Sequence, residues 1–305
     1  MVRYSWVVAS DKYVYLPGMG AWMVASAGVA RLRAHPRAGV RGGLAATMAL
    51  LLGLEALGSR ACLRHWRDTW TLCLHMIAVA PGSPVPYSHM GAELARSGRM
   101  AEAEPYLWRA VQLDPTFSDA RYNLAVSYVR RNRPGAALPH LREAIRLRPR
   151  FAEAHNNLGV AMAQLGRMDE AVACFERAIE LRPGLAGAHS NLALAIVKSG
   201  GDLERAAAGY RQAIRLSPKA VLPRRNLAIA LVRLGRIDQA LDELREAARI
   251  DPRDAEVRCD IGDIEAGRGR LAAAEAAYRE ALGVDSSSRR AQAGLAEIAA
   301  RRRGK

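Results

Sequence analysis

Aromatic residues are scarce, at 6% of 305, and only three of them are phenylalanine. That argues against a β-sandwich, whose strands favour aromatic and β-branched side chains. Cysteine is scarce too: Cys62, Cys73, Cys174 and Cys259 are the four present. None are spaced as C-x-x-C, and no nearby histidine completes a zinc pattern, so neither a metal site nor a disulfide framework is expected. The thiols read as free and mostly buried, with a Cys62–Cys73 pairing left open. The formal net charge is +15, yet no long basic run occurs before Arg301-Arg302-Arg303-Gly304-Lys305. The excess is dispersed. It fits an acidic membrane surface or a genome-wide arginine bias, and no nucleic-acid partner is expected. The first ten residues lack the separate basic, apolar and small-residue regions of a cleavable leader.

What is abundant is hydrophobic residues, half of the chain, with alanine, leucine and arginine prominent. Alanine and straight-chain residues lose little freedom in a helix, so the composition favours an all-α fold. Prolines recur from Pro81 through Pro115, Pro149, Pro183, Pro218 and Pro252, at steps of 34, 34, 34, 35 and 34 residues. The next expected proline position is Ser286. Five residues before each proline position from Pro115 onward stands an alanine: Ala110, Ala144, Ala178, Ala213, Ala247 and Ala281. A large apolar residue precedes each alanine by three: Leu107, Leu141, Phe175, Tyr210, Leu244 and Tyr278. A small one lies four earlier still: Ala103, Ala137, Ala171, Ala206, Ala240 and Ala274. Met90, Leu124, Leu158, Leu192, Leu227 and Ile261 mark a first helix in each unit, each followed by Gly or Ala. Spacings of three, four and seven define one helical face. Gly98, Gly166, Gly200, Gly235 and Gly269 mark the turn inside units, and the prolines end second helices.

A period of 34 residues in helix pairs is the signature of a tetratricopeptide repeat (TPR). About three-quarters of the chain resembles that family. The expected fold is therefore an all-α TPR solenoid. It has six units over residues 84–117, 118–151, 152–185, 186–220, 221–254 and 255–288, with a capping helix and basic tail at 289–305. Residues 61–83 are expected to hold a linker and an N-terminal capping half-repeat. Residues 1–60 lack the periodicity. Segments 13–30 and 42–57 are nearly free of charge and predict two transmembrane helices, somewhat short for the purpose; a buried soluble hairpin is the alternative. Arg31, Arg33, Arg37 and Arg41 between them would keep that loop cytoplasmic and put the repeats outside the cytoplasm. Arg60, Arg64 and Arg67 at the other end weaken the bias.

No nucleophilic serine motif, glycine-rich phosphate loop or paired carboxylates stand out, so no catalytic residue or cofactor is assigned. His89, His140, His155 and His189 are scattered by repeat phase. The last two share one position and read as packing residues. The candidate site is an asparagine ladder: Asn123, Asn157, Asn191 and Asn226, preceded by His89 and continued by Asp260. The ladder resembles the one lining the concave face of the repeats of O-linked N-acetylglucosamine transferase. An amide both donates and accepts, so a row of them suits the backbone of an extended peptide; bridging between neighbouring repeats is the alternative. Seven residues after each ladder position come Arg96, Arg130, Gln164, Lys198 and Arg233, a basic stripe suited to an acidic peptide or a terminal carboxylate. Solvated charge on a helix face is the plainer reading.

The heptapeptide Asp11-Lys12-Tyr13-Val14-Tyr15-Leu16-Pro17 resembles the D-R-Y-x-Y-L-P motif of the transmembrane and TPR-containing O-mannosyltransferases and their bacterial relatives, with lysine for the usual arginine. Trp66-Arg67-Asp68 stands where a similar segment leads into their repeats. That family carries its catalytic acids in an N-terminal loop several helices before the motif. The resemblance therefore implies a chain corresponding to its C-terminal part, without catalysis. Two functions follow as expectations. One is a membrane-anchored, non-catalytic scaffold binding a protein or extended peptide in its groove. The other is the substrate-recruiting tail of a protein O-glycosyltransferase-like membrane enzyme. A soluble assembly chaperone is a third and weaker reading.

Overall fold

The computed structural model describes residues 68–303. Among the described residues there are fourteen α-helices and no strand. They fall into two compact units that divide between Gly82 and Ser83. The first contributes one described helix, α1 (Thr69–Val79). Asp68 is its N-cap, with Oδ1 accepting the backbone N–H of Thr71 at 2.8 Å. Burial pushes the Cys73 thiol up to about 11. The two apolar segments expected to span a membrane, the 11–17 motif and Cys62 lie outside the described residues. No described helix is long and apolar enough to cross a membrane.

The second unit is a run of helix pairs. First helices are α2 (Pro84–Arg96), α4 (Ser118–Arg130), α6 (Ala152–Gln164), α8 (Ala186–Lys198), α10 (Val221–Arg233) and α12 (Ala255–Gly267). Their partners are α3 (Met100–Leu113), α5 (Pro134–Leu147), α7 (Met168–Leu181), α9 (Leu203–Leu216), α11 (Ile237–Ile250) and α13 (Leu271–Val284). A last helix, α14 (Arg289–Arg303), closes the array. It buries Ala291 and Ile298 beside Tyr278 and Cys259 and leaves Arg289, Arg301 and Arg302 exposed. A repeat array needs such a polar end.

The small-residue pattern is the core. All six alanines of the series from Ala103 to Ala274, and all six from Ala110 to Ala281, are 0% exposed. The large residues between them, Leu107 to Tyr278, are all buried. Small side chains bring paired backbones together and large ones fill the gap to the neighbouring unit, so every unit depends on the next.

Inside each pair the chain reverses through a residue in the left-handed region: Gly98, Gly166, Gly200, Gly235 and Gly269, with φ between 72° and 82°. Asn132, φ 54°, takes that place in the second unit. Each second helix ends when the next backbone N–H donates to the carbonyl of a series alanine, as Arg182 does to Ala178 at 2.9 Å. The ending residue is then extended, because a following proline disfavours the helical region. Asp285 adopts the same extended form (φ −132°, ψ 97°), although serine follows it. Its carboxylate accepts from the N–H of Ser287 at 2.9 Å and from its hydroxyl at 2.7 Å, as that of Asp114 does from Thr116.

The backbones of successive first helices come close along the array, while those of successive second helices lie farther apart and meet through long side chains, as in the Arg205–Glu176 ion pair at 2.5 Å. Neighbouring units are thus closer on the first-helix side, and the array curves with first helices on its inner face.

Candidate peptide-binding groove

The inner face carries the asparagine ladder, and the structure divides it. The Asn157 amide donates to the Tyr122 hydroxyl at 3.1 Å, and the Asn191 amide to Asn156 Oδ1 at 3.0 Å. At the end of the series, Arg225 Nε donates to Asp260 Oδ2 at 2.7 Å. All three bonds join a ladder residue to the residue just before the ladder position in the preceding unit, 35 residues back. The geometry follows from first helices lying side by side. Burial pushes the Tyr122 phenol up to about 12, and Glu153 adds to the rise, so it remains a neutral hydroxyl. The Asn123 and Asn226 side chains are half-buried and make no hydrogen bond among the described residues. These two amides are open to a ligand.

The basic stripe divides as well. Arg96 pairs with Glu93, and Gln164 donates to the Val129 carbonyl of the preceding unit at 3.3 Å. Arg130, Lys198 and Arg233 are exposed and form no ion pair among the described residues. Every acid of the first helices is already paired: Glu93, Asp119 and Glu153 with Arg96, Arg148 and Arg182, and Glu256, Asp260, Asp263 and Glu265 with Arg225, Arg290 or Arg270. Among the described first-helix residues the cations without an ion pair are these three, at one repeat position, and Arg121, which donates to the Pro115 carbonyl.

His155 and His189, which sequence phase marked as packing residues, are staples. A ring nitrogen of His155 lies 3.1 Å from the Pro149 carbonyl, and one of His189 lies 2.8 Å from that of Pro183. Arg121 and Arg224 reach the carbonyls of Pro115 and Pro218 from the same position, at 2.5 Å and 3.3 Å. Reading only the histidines hides this device, because arginine serves it equally well.

At the C-terminal end a charged network closes the groove. Asp260 lies between Arg225 and Arg290, and Arg290 also holds Asp263 and Glu256. Desolvation works against the Arg290 charge, but the hydrogen bonds it donates to Asp263 and Asp260 outweigh it and raise its pKa. Beside this network lies a cavity of about 220 Å³ with Ala228, Ile229, Val232 and Ile264 on its walls. Sequence reading missed it, since Arg290 arrives from α14. The available signal was repeat phase: Ile229 stands where the other first helices carry less exposed residues or an acid. Among the described residues no cluster could hold a metal ion.

Residues 83–298 match the family model described as the cilia and flagella-associated protein 70 C-terminal domain. The chain belongs to that family. One chain of the crystal structure of the APC/C hetero-tetramer Cut9-Hcn1 shares its fold, with TM-score 0.67 at 19% identity, covering 75% of this chain and 45% of that one. Protein O-mannosyl-transferase Tmtc2 of Drosophila melanogaster is 28% identical over 123 residues, 40% of this chain and 13% of its own length. A peroxisomal targeting signal receptor of Eremothecium gossypii is 51% identical over 51 residues, 17% of this chain and 9% of the receptor. The chain thus spans about a tenth of the curated relatives it matches. It is a TPR-repeat scaffold of the kind that is generally non-catalytic.

Proposed function

We propose that the array holds an extended, acidic protein segment along its inner face. The observation that carries this reading is the charge imbalance: Arg130, Lys198 and Arg233 are unpaired and in register, while every acid of the first helices has a partner. The open amides of Asn123 and Asn226 supply sequence-independent contacts to a peptide backbone. In the same proposal the first 60 residues anchor the chain in a membrane, with the repeats on the extracytoplasmic side.

The test separates ligand contacts from architecture. The double variant Asn123→Ala, Asn226→Ala removes two amides that no other described residue uses. Its expected effect is on the order of tenfold or more weaker partner capture with an unchanged helical signal, since each hydrogen bond contributes about 1 kcal/mol. Adding Asn157→Ala and Asn191→Ala is expected to abolish capture and also to lower stability, because those amides join neighbouring helices. Partners co-purified with the full chain are quantified by mass spectrometry. Capture unchanged in the double variant sinks the groove reading.

A second reading has its own support in the similarity to Tmtc2 and in the motif at residues 11–17. In it the repeats recruit substrate for a protein O-glycosyltransferase-like membrane enzyme. The intact mass of the natural protein, taken from membranes of its host, separates the two. A mass near 33.1 kDa is the expected result for the anchored scaffold. A much larger mass is expected for the recruiting tail.

A further inference from the structure

The fifth unit differs from its neighbours on the inner face. Leu222, 62% exposed, occupies the position held by Asp119, Glu153 and Glu256 in other units. Ile229, 51% exposed, lies two turns further along α10, at the position of Asp263 in the sixth unit. Residues seven apart share a helical face. Single exposed aliphatics are ordinary. Two on one face, one of them lining a cavity beside an unpaired arginine, form a surface of defined chemistry. A dry cavity of about 150 Å³ accepts a benzene ring. The cavity at Ile229, about 220 Å³, has room for one large side chain. Arg233 lies one turn beyond Ile229 and lines the same cavity, with its charge uncompensated. The other charges at the cavity satisfy one another, so they offer no competing carboxylate to Arg233 and no free cation beside it.

We propose that this cavity is an anchor subsite for a large aliphatic or aromatic residue of the bound peptide, flanked by a carboxylate that pairs with Arg233. The inference rests on the groove reading above and adds a sequence preference to it. The amides of Asn123 and Asn226 would hold any backbone, whereas α10 selects an apolar residue next to an acid. Leu222 extends the apolar strip toward the start of α10, where a second apolar residue of the same peptide lies.

Peptides selected from a randomised ten-residue phage library on the immobilised full chain supply the probe. The selected consensus is then synthesised with a fluorescein label and titrated by anisotropy. The expected consensus places a large apolar residue next to Asp or Glu. Ile229→Asp is expected to weaken the labelled peptide about tenfold or more, through loss of one buried side chain. Leu222→Glu is expected to weaken it less. Both variants introduce residue types that other units carry at the same positions, so an unchanged helical signal is expected. Arg233→Ala is expected to weaken the peptide and flatten the salt dependence. A consensus without the apolar–acidic pair, or binding lost in Asn123→Ala, Asn226→Ala but intact in Ile229→Asp, overturns the subsite and leaves the groove reading standing. A library from which nothing is retained overturns both.

Discussion

Tyr278→Ala is expected to destabilise the C-terminal end of the array by about 3–5 kcal/mol, the range for emptying a large aromatic site. Tyr278 is 3% exposed, and its ring lies against Gly262 of α12 and Gly294 of α14 so closely that neither position has room for a Cβ. Its hydroxyl donates to Asp263 Oδ1 at 2.5 Å, and Asp263 in turn pairs with Arg290 of α14. Burial raises the phenol pKa, and Asp263 raises it further, so the proton stays on Tyr278. One side chain thus joins three helices. In an array whose units contact only their neighbours, the loss is local. Amide hydrogen exchange is expected to accelerate in residues 255–303 while residues 118–181 keep their protection. Tyr278→Phe retains the ring and is expected to lose about 1 kcal/mol. Uniform loss of protection across the array in the alanine variant would contradict the neighbour-only account.

Gly159→Ala is expected to destabilise the protein by about 1–3 kcal/mol, reversing the usual sign of that change inside a helix. A Cβ at Gly159 falls 2.6 Å from the Phe175 ring, so ring or helix must move. The second and fifth units solve the same contact differently, pairing Ala125 with Leu141 and Ala228 with Leu244. Combining Gly159→Ala with Phe175→Leu recreates that pair in the third unit. The double variant is expected to recover most of the loss, with a coupling of about 1 kcal/mol or more in urea melts. Simple additivity of the two substitutions would show that the close approach carries no strain.

Much of this molecule was legible in one dimension. Period, helix pairing, alanine faces and turn glycines follow from steric demands that each residue type meets wherever it stands. The membrane segments and the motif at residues 11–17 rest on sequence alone. The site was legible only in outline. Repeat phase put four asparagines and a row of cations on one face, but it could not tell Asn157 and Asn191, bonded across helices, from Asn123 and Asn226, which are open. The difference lies in the residue opposite. Tyr122 and Asn156 reach the next amide, and which residue lies opposite is fixed by the lateral register of adjacent first helices.

The sequence by itself determined that the chain is a helical repeat array with a small-residue core, because periodicity and side-chain volume act locally. Tertiary structure decided which polar groups are used up within the array, and it assembled the cavity from α10, α11, α12 and α14. The physical reason is distance. Groups 27 to 35 residues apart meet only after the helices have stacked, and that stacking sets their partners.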